Sequence, residues 1–229
     1  MDKAPRDLLL FLAFSVLPIA SFKLLGVPDT DFYLTLFLVS GLVIVWIRHY
    51  YREPQQLVDY DENLSFEGIL FILAAVGGIM VAAALLVQGF TRSVLYVPTA
   101  NMEMAVGQFQ LSGFWNDVLF QLVLVGPSEE CIKLAVHLAF YIWLVPLLGK
   151  STSRIIAITG PILFWALLHT YRNPTYTGAL MVPMVAAAFV GGLIIFAVMY
   201  YTKSLLAAIL THAAYNIVIL YIQHFMLAA

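Results

Sequence analysis

Long apolar runs separated by short polar breaks make up most of the chain, and their lengths predict its elements. A helix that crosses the hydrocarbon of a bilayer needs about 20 predominantly apolar residues. Six runs meet or approach that length: Leu8 to Gly26, Phe32 to Ile47, Gly68 to Val87, Ile155 to Leu168, Gly178 to Tyr201 and Leu205 to Leu227. A further run, Phe114 to Leu148, is interrupted only by Pro127 and the Ser128, Glu129 and Glu130 that follow it. As one straight helix that run would be ~52 Å long, against a hydrocarbon core of ~30 Å. It is therefore either one long kinked helix or a half-helix followed by a full span from near Ser128. The N–H that proline lacks favours a break at that point. Val94 to Gln110 carries Asn101, Glu103, Gln108 and Gln110 and reads as an interfacial helix or loop, with an eighth crossing as its alternative. The pattern predicts an all-α polytopic transmembrane bundle of about seven (7–8) spans. Its single integral membrane domain covers 1–229, with N-terminal spans and the interfacial segment in 1–113 and core spans in 114–229.

Composition points the same way. Hydrophobic residues make up 62% of the chain, charged residues 10%, and the mean hydropathy is +0.94, too little polar surface for a water-soluble globule. Lys3 and Arg6 precede the first run as in a signal peptide, but no small-x-small cleavage site follows, so the run reads as a retained span. Cytoplasmic loops carry the excess of Lys and Arg. With seven crossings, Lys3, Arg6, Arg48, Arg52, Lys150, Arg154 and Lys203 fall on one side and Lys23, Arg92 and Arg172 on the other, which predicts a cytoplasmic N-terminus. A net charge of −2 without a basic run argues against a nucleic-acid partner. A lone Cys131 excludes an intrachain disulfide and a Cys-rich metal site.

Ionisable side chains inside apolar spans are costly, so each must face a protein interior or a wet cavity. Glu129, Glu130, Lys133 and His137 share one helical segment, His169 lies near the end of another, and His212 with Asn216 on the last. Lys133 is spaced i,i+4 from Glu129 and i,i+3 from Glu130, so it can pair with either. The two carboxylates point about 100° apart on a helix, so one can be ion-paired while the other is left for chemistry. The same trio could serve as a structural clasp and nothing more. Trp165 and His169 are spaced i,i+4 on one face, as are His212 and Asn216. The latter pair could equally be interhelical hydrogen-bond glue.

In these residues the chain resembles the CPBP family, the CAAX-processing and bacteriocin-processing intramembrane endopeptidases. That family is marked by Glu-Glu-x-x-x-Arg, then Phe-x-x-x-His, then His-x-x-x-Asn or a similar small polar residue. Here the three read Glu129-Glu130-Cys131-Ile132-Lys133, Trp165-Ala166-Leu167-Leu168-His169 and His212-Ala213-Ala214-Tyr215-Asn216, over about half the chain. The basic residue stands one position early, with Leu134 where the family has Arg, and Glu-Glu-x-x-Lys is closer to the related PrsW proteases. PrsW members carry Glu and Asp in place of His169 and Asn216, so the later motifs side with CPBP.

The resemblance implies a membrane protease in which Glu129 with His169 activates a water while His212 and Asn216 hold the oxyanion. Glu130, Lys133 and Trp165 would support them. It further implies a membrane-embedded or lipidated protein or peptide as substrate. Zinc held by Glu129, His169 and His212 is the alternative to a metal-free site. It is the weaker one, because no His-Glu-x-x-His is present and Asn216 would have no task. The runner-up function is a non-enzymatic membrane protein, a proton or ion relay or an assembly or immunity partner. One measure strains the single-site reading. Counted from the inner ends, His169 lies ~22 Å along its helix and His212 ~13 Å along its own, a gap of ~9 Å that tilt must close.

Overall fold

The computed structural model describes residues 29–50, 66–93, 113–172 and 181–221, and every regular element among them is helical. The six helices are α1 (Asp29–Tyr50), α2 (Phe66–Ser93), α3 (Phe114–Leu148), α4 (Lys150–Arg172), α5 (Met181–Thr202) and α6 (Leu205–Tyr221). All but one of the apolar runs coincide with these helices. The exception, Leu8 to Gly26, lies outside the described residues, as does the Val94 to Gln110 segment. Among the described residues α3 and α5 are long and apolar enough, by length and composition, to cross a membrane. Shorter apolar helical stretches occupy Asp31–Ile47, Glu67–Ala82 and Leu205–Tyr221.

Helix α3 packs against α1, α4 and α6, while α5 packs against α2, α4 and α6. One apolar core joins all six, with Val43 and Ile47 from α1, Ile79 from α2, Leu134 and Leu138 from α3, Ala157 and Ile162 from α4, Ile195 from α5 and Ala208 from α6. Along α1 the buried line is Tyr33, Leu36, Ser40, Val43 and Ile47, the three-and-four spacing of one helical face. Its opposite line, Leu34, Leu38, Leu42 and Val45, is 45–65% exposed and just as apolar. Such a helix is not built to face water.

The proline in α3 does not end the helix, which runs unbroken from Phe114 to Leu148 through a π-helical turn at Gln121–Val125. There the Gly126 N–H reaches back five residues to the Gln121 carbonyl, so the chain enters Pro127 on a widened turn. The Ser128 hydroxyl donates to the Leu124 and Val125 carbonyls at 2.6 and 3.0 Å. Gly126 is required at this point. A Cβ on it would lie 3.1 Å from the Gln121 carbonyl and 3.4 Å from the Ile209 carbonyl of α6, so glycine lets the last helix close on the turn.

Gly149, at φ 74°, reverses the chain between α3 and α4, its N–H bonded to the Val145 carbonyl. Lys203 and Ser204 alone separate α5 from α6. The Ser204 hydroxyl caps α6 by accepting from the Ala207 N–H at 3.1 Å.

Candidate active site

The turn after Pro127 points adjacent carboxylates at different neighbours, as the helical angle requires. Glu129, 2% exposed, faces α1, α4 and α6. The Trp165 indole N–H of α4 donates to its Oε2 at 3.0 Å, and the Tyr33 hydroxyl of α1 donates to its Oε1 at 3.4 Å. Each carboxylate oxygen thus carries a neutral donor. Tyr33 is fully buried and wedged edge-on between Phe32 and Phe120, which fixes its ring.

Glu130 lies in a charged setting. Its Oε1 accepts both from the Lys133 ammonium one turn on and from His212 Nδ1 of α6, the latter at 2.6 Å. Lys133, which the spacing allowed to pair with either glutamate, is therefore bound to Glu130. An ionised carboxylate can only accept, so a ring held on Glu130 carries its proton on Nδ1. This turns His212 Nε2 toward Glu129, 3.7 Å from its Oε2.

One turn further along α6, the half-buried Asn216 donates from Nδ2 to the Gln121 side chain at 2.8 Å. The second N–H of that amide remains for another acceptor. Gln121 opens the π turn, so the irregularity that carries α3 past its proline also aims the amide that orients Asn216.

Of the residues singled out in sequence, Glu129, Glu130, Lys133, Trp165 and His212 converge, with Asn216 one turn away. Trp165 and His212 meet at the same carboxylate oxygen, so α4 and α6 reach a common point there, while the ~9 Å difference in depth concerns His169, whose side chain lies outside the described residues. Helix α6 begins at Leu205, only seven residues before His212, whereas α4 runs from Lys150 through fifteen residues to Trp165. His169 stands in α4 one turn beyond Trp165, but its side chain lies outside the described residues.

Two site residues, Tyr33 and Gln121, escape a search for ionisable groups alone. A phenol and an amide in the middle of apolar runs were the available signal, because each needs a partner when buried. His137, the remaining ionisable residue of α3, sits away from this cluster with Nδ1 2.9 Å from the Ala157 carbonyl of α4. Among the described residues no group of three His, Cys, Asp or Glu side chains is arranged to hold a metal ion, and the zinc alternative needs His169, whose side chain is outside them.

Residues 111–218, just under half of the chain, match the family model described as type II CAAX prenyl endopeptidase Rce1-like. No curated protein and no solved structure matches the chain. The matched segment contains Gln121, Glu129, Glu130, Lys133, Trp165, His212 and Asn216. Tyr33 falls outside it.

Proposed function

We propose that this chain, a member over residues 111–218 of the Rce1-like type II CAAX prenyl endopeptidase family, is a polytopic intramembrane endopeptidase that cleaves a lipidated or membrane-anchored protein near its anchor. The observation that carries this reading is the environment of Glu129. It is a buried carboxylate oriented by two neutral donors, with an imidazole nitrogen beside it and an ion-paired second glutamate behind that imidazole.

In the proposed reaction Glu129 takes a proton from water as its oxygen bonds to the scissile carbonyl carbon, with His169 as the partner implied by resemblance. The carbonyl π pair moves onto oxygen, where the second Asn216 N–H and His212, its ring protonated on both nitrogens and donating from Nε2, receive it. Collapse re-forms the carbonyl and breaks the C–N bond, and the departing amine takes the proton held on Glu129. The products are a carboxylic acid and an amine, which end as a carboxylate and an ammonium. Glu130, fixed by Lys133, acts through His212, holding the ring by Nδ1 so that Nε2 faces the reacting carbonyl. The metal-free route is preferred because the chain has no His-Glu-x-x-His and a zinc site would leave Asn216 without a task.

Bilayer placement follows from the outer apolar line of α1 and from α3 and α5, which are long enough to span. The proposed topology adds the first run and the remaining helices, about seven (7–8) crossings, with the N-terminus in the cytoplasm by the distribution of Lys and Arg. A proton relay is the second reading, since Lys133, Glu130, His212 and Glu129 lie in one continuous line.

Purified protein in detergent, offered prenylated CAAX peptides and a library of membrane-anchored peptides, distinguishes the two readings. Wild type cleaves at least one of them and Glu129→Gln does not. If no peptide separates the two proteins, the protease reading fails and the relay stands. Loss of activity to a chelator, restored by zinc, would overturn the metal-free route.

A further inference from the structure

Pro161 stands inside α4 and has no N–H to give the Ala157 carbonyl four residues earlier. Ala157 is fully buried, so water does not fill that vacant place. His137 of α3 fills it, with Nδ1 2.9 Å from the Ala157 oxygen. A carbonyl only accepts, so the ring donates from Nδ1 and its tautomer is set. The ring itself is held by Phe196 of α5 edge-on at 4.8 Å and by Tyr141, stacked at 6.5 Å.

The same two helices touch again beyond the proline, where the Trp165 indole one turn past Pro161 donates to Glu129. One α3–α4 hydrogen bond thus lies before Pro161 and one after it. A helix with a proline in its interior bends at that point, and the bend is only as defined as the contacts on both of its sides. We propose that His137 is a positioning residue for the active site, standing in for the backbone donor that Pro161 lacks and thereby fixing the course of α4 through the proline, which brings Trp165 to Glu129. This rests on the reading of Glu129 as the base. His137 touches no reacting atom and acts through α4.

The chemistry selects its own controls. Asn places an N–H donor at the position of His Nδ1, Leu places none, and Pro161→Ala gives α4 its own donor for Ala157. The experiment uses full-length protein labelled with 5-fluorotryptophan, the Trp165 resonance being assigned from Trp165→Phe, and measures fluorine NMR alongside cleavage kinetics. His137→Leu shifts and broadens the Trp165 resonance and lowers kcat about tenfold with KM little changed, whereas His137→Asn restores both. In a Pro161→Ala background, His137→Leu costs less than threefold further.

The proposal is overturned if His137→Leu leaves the Trp165 resonance and kcat at wild-type values, if His137→Asn is as impaired as His137→Leu, or if the loss is equal in both backgrounds. Should His137→Leu alone fail to fold, the Asn variant and the double variant still decide the question. The resonance does not depend on catalysis. If Glu129→Gln cleaves as fast as wild type, the base assignment falls, while the fluorine shift still reports on His137.

Discussion

On its α1 and α4 side, helix α3 presents Glu129 to a phenol and an indole; on its α6 side, one residue later, it presents Glu130 to an ammonium and an imidazole. Both carboxylates are almost fully buried. Neutral donors orient the Glu129 carboxylate through hydrogen bonds. A buried ion pair instead opposes protonation and ties its members into the fold. Adjacent positions of one helix therefore hold their carboxylates among different neighbours, because the turn per residue points them apart, and under the proposed mechanism the first is reactive and the second structural.

The largest expected effect tests that separation at its reactive end. Glu129→Gln keeps the volume nearly intact and one of the two acceptor oxygens, the new NH2 being able to donate to the Tyr33 oxygen, but it cannot take a proton, so cleavage falls by roughly 10³- to 10⁴-fold. Thermal unfolding in detergent should stay close to wild type. A loss of stability matching that of a Glu130 variant would erase the distinction.

Lys133→Met tests the structural end and should mainly affect stability. Removing one partner of a buried pair costs about 3–5 kcal/mol, read as a lower unfolding midpoint. The double variant Glu130→Gln, Lys133→Met should recover part of that loss. A double variant no more stable than either single one would show that the pair is not the source.

Asn216→Ala should lower kcat by about 10²-fold with little change in unfolding, the usual consequence of removing one oxyanion donor. Gln121→Ala, which frees Asn216 to rotate, should reproduce a smaller part of the loss. Equal unfolding defects in both, with kcat preserved, would make the pair a helix clasp.

The smallest effects are expected at the orienting donors. Tyr33→Phe and Trp165→Phe each remove one neutral hydrogen bond worth about 1 kcal/mol, or a several-fold loss of kcat. Tyr33 is the more informative of the two, because it lies outside the 111–218 family segment. A Tyr33→Phe enzyme with unaltered kcat would confine the working site to that segment.

Much of this molecule could be read along the chain. Helices are local, and apolar runs of spanning length dictate them, so the runs from Phe32 onward coincide with observed helices. The motif residues were legible because charges in such runs are rare and each needs a partner. What was not legible came from contacts between helices. The break expected at Pro127 is absent because the helix enters the proline on a π turn, and Gly126 leaves room for α6 to lie against that turn. At Pro161 the answer came from another helix altogether, through His137.

The sequence by itself determined that the described residues are helical, that their helices are apolar, and that Lys133 can pair with one of two neighbouring glutamates. Spacing made Lys133 equally able to hold either one. Only the tertiary structure decided between them, because a side chain's partner depends on which helix lies opposite. Here α6 brings His212 to Glu130 while α1 and α4 bring Tyr33 and Trp165 to Glu129.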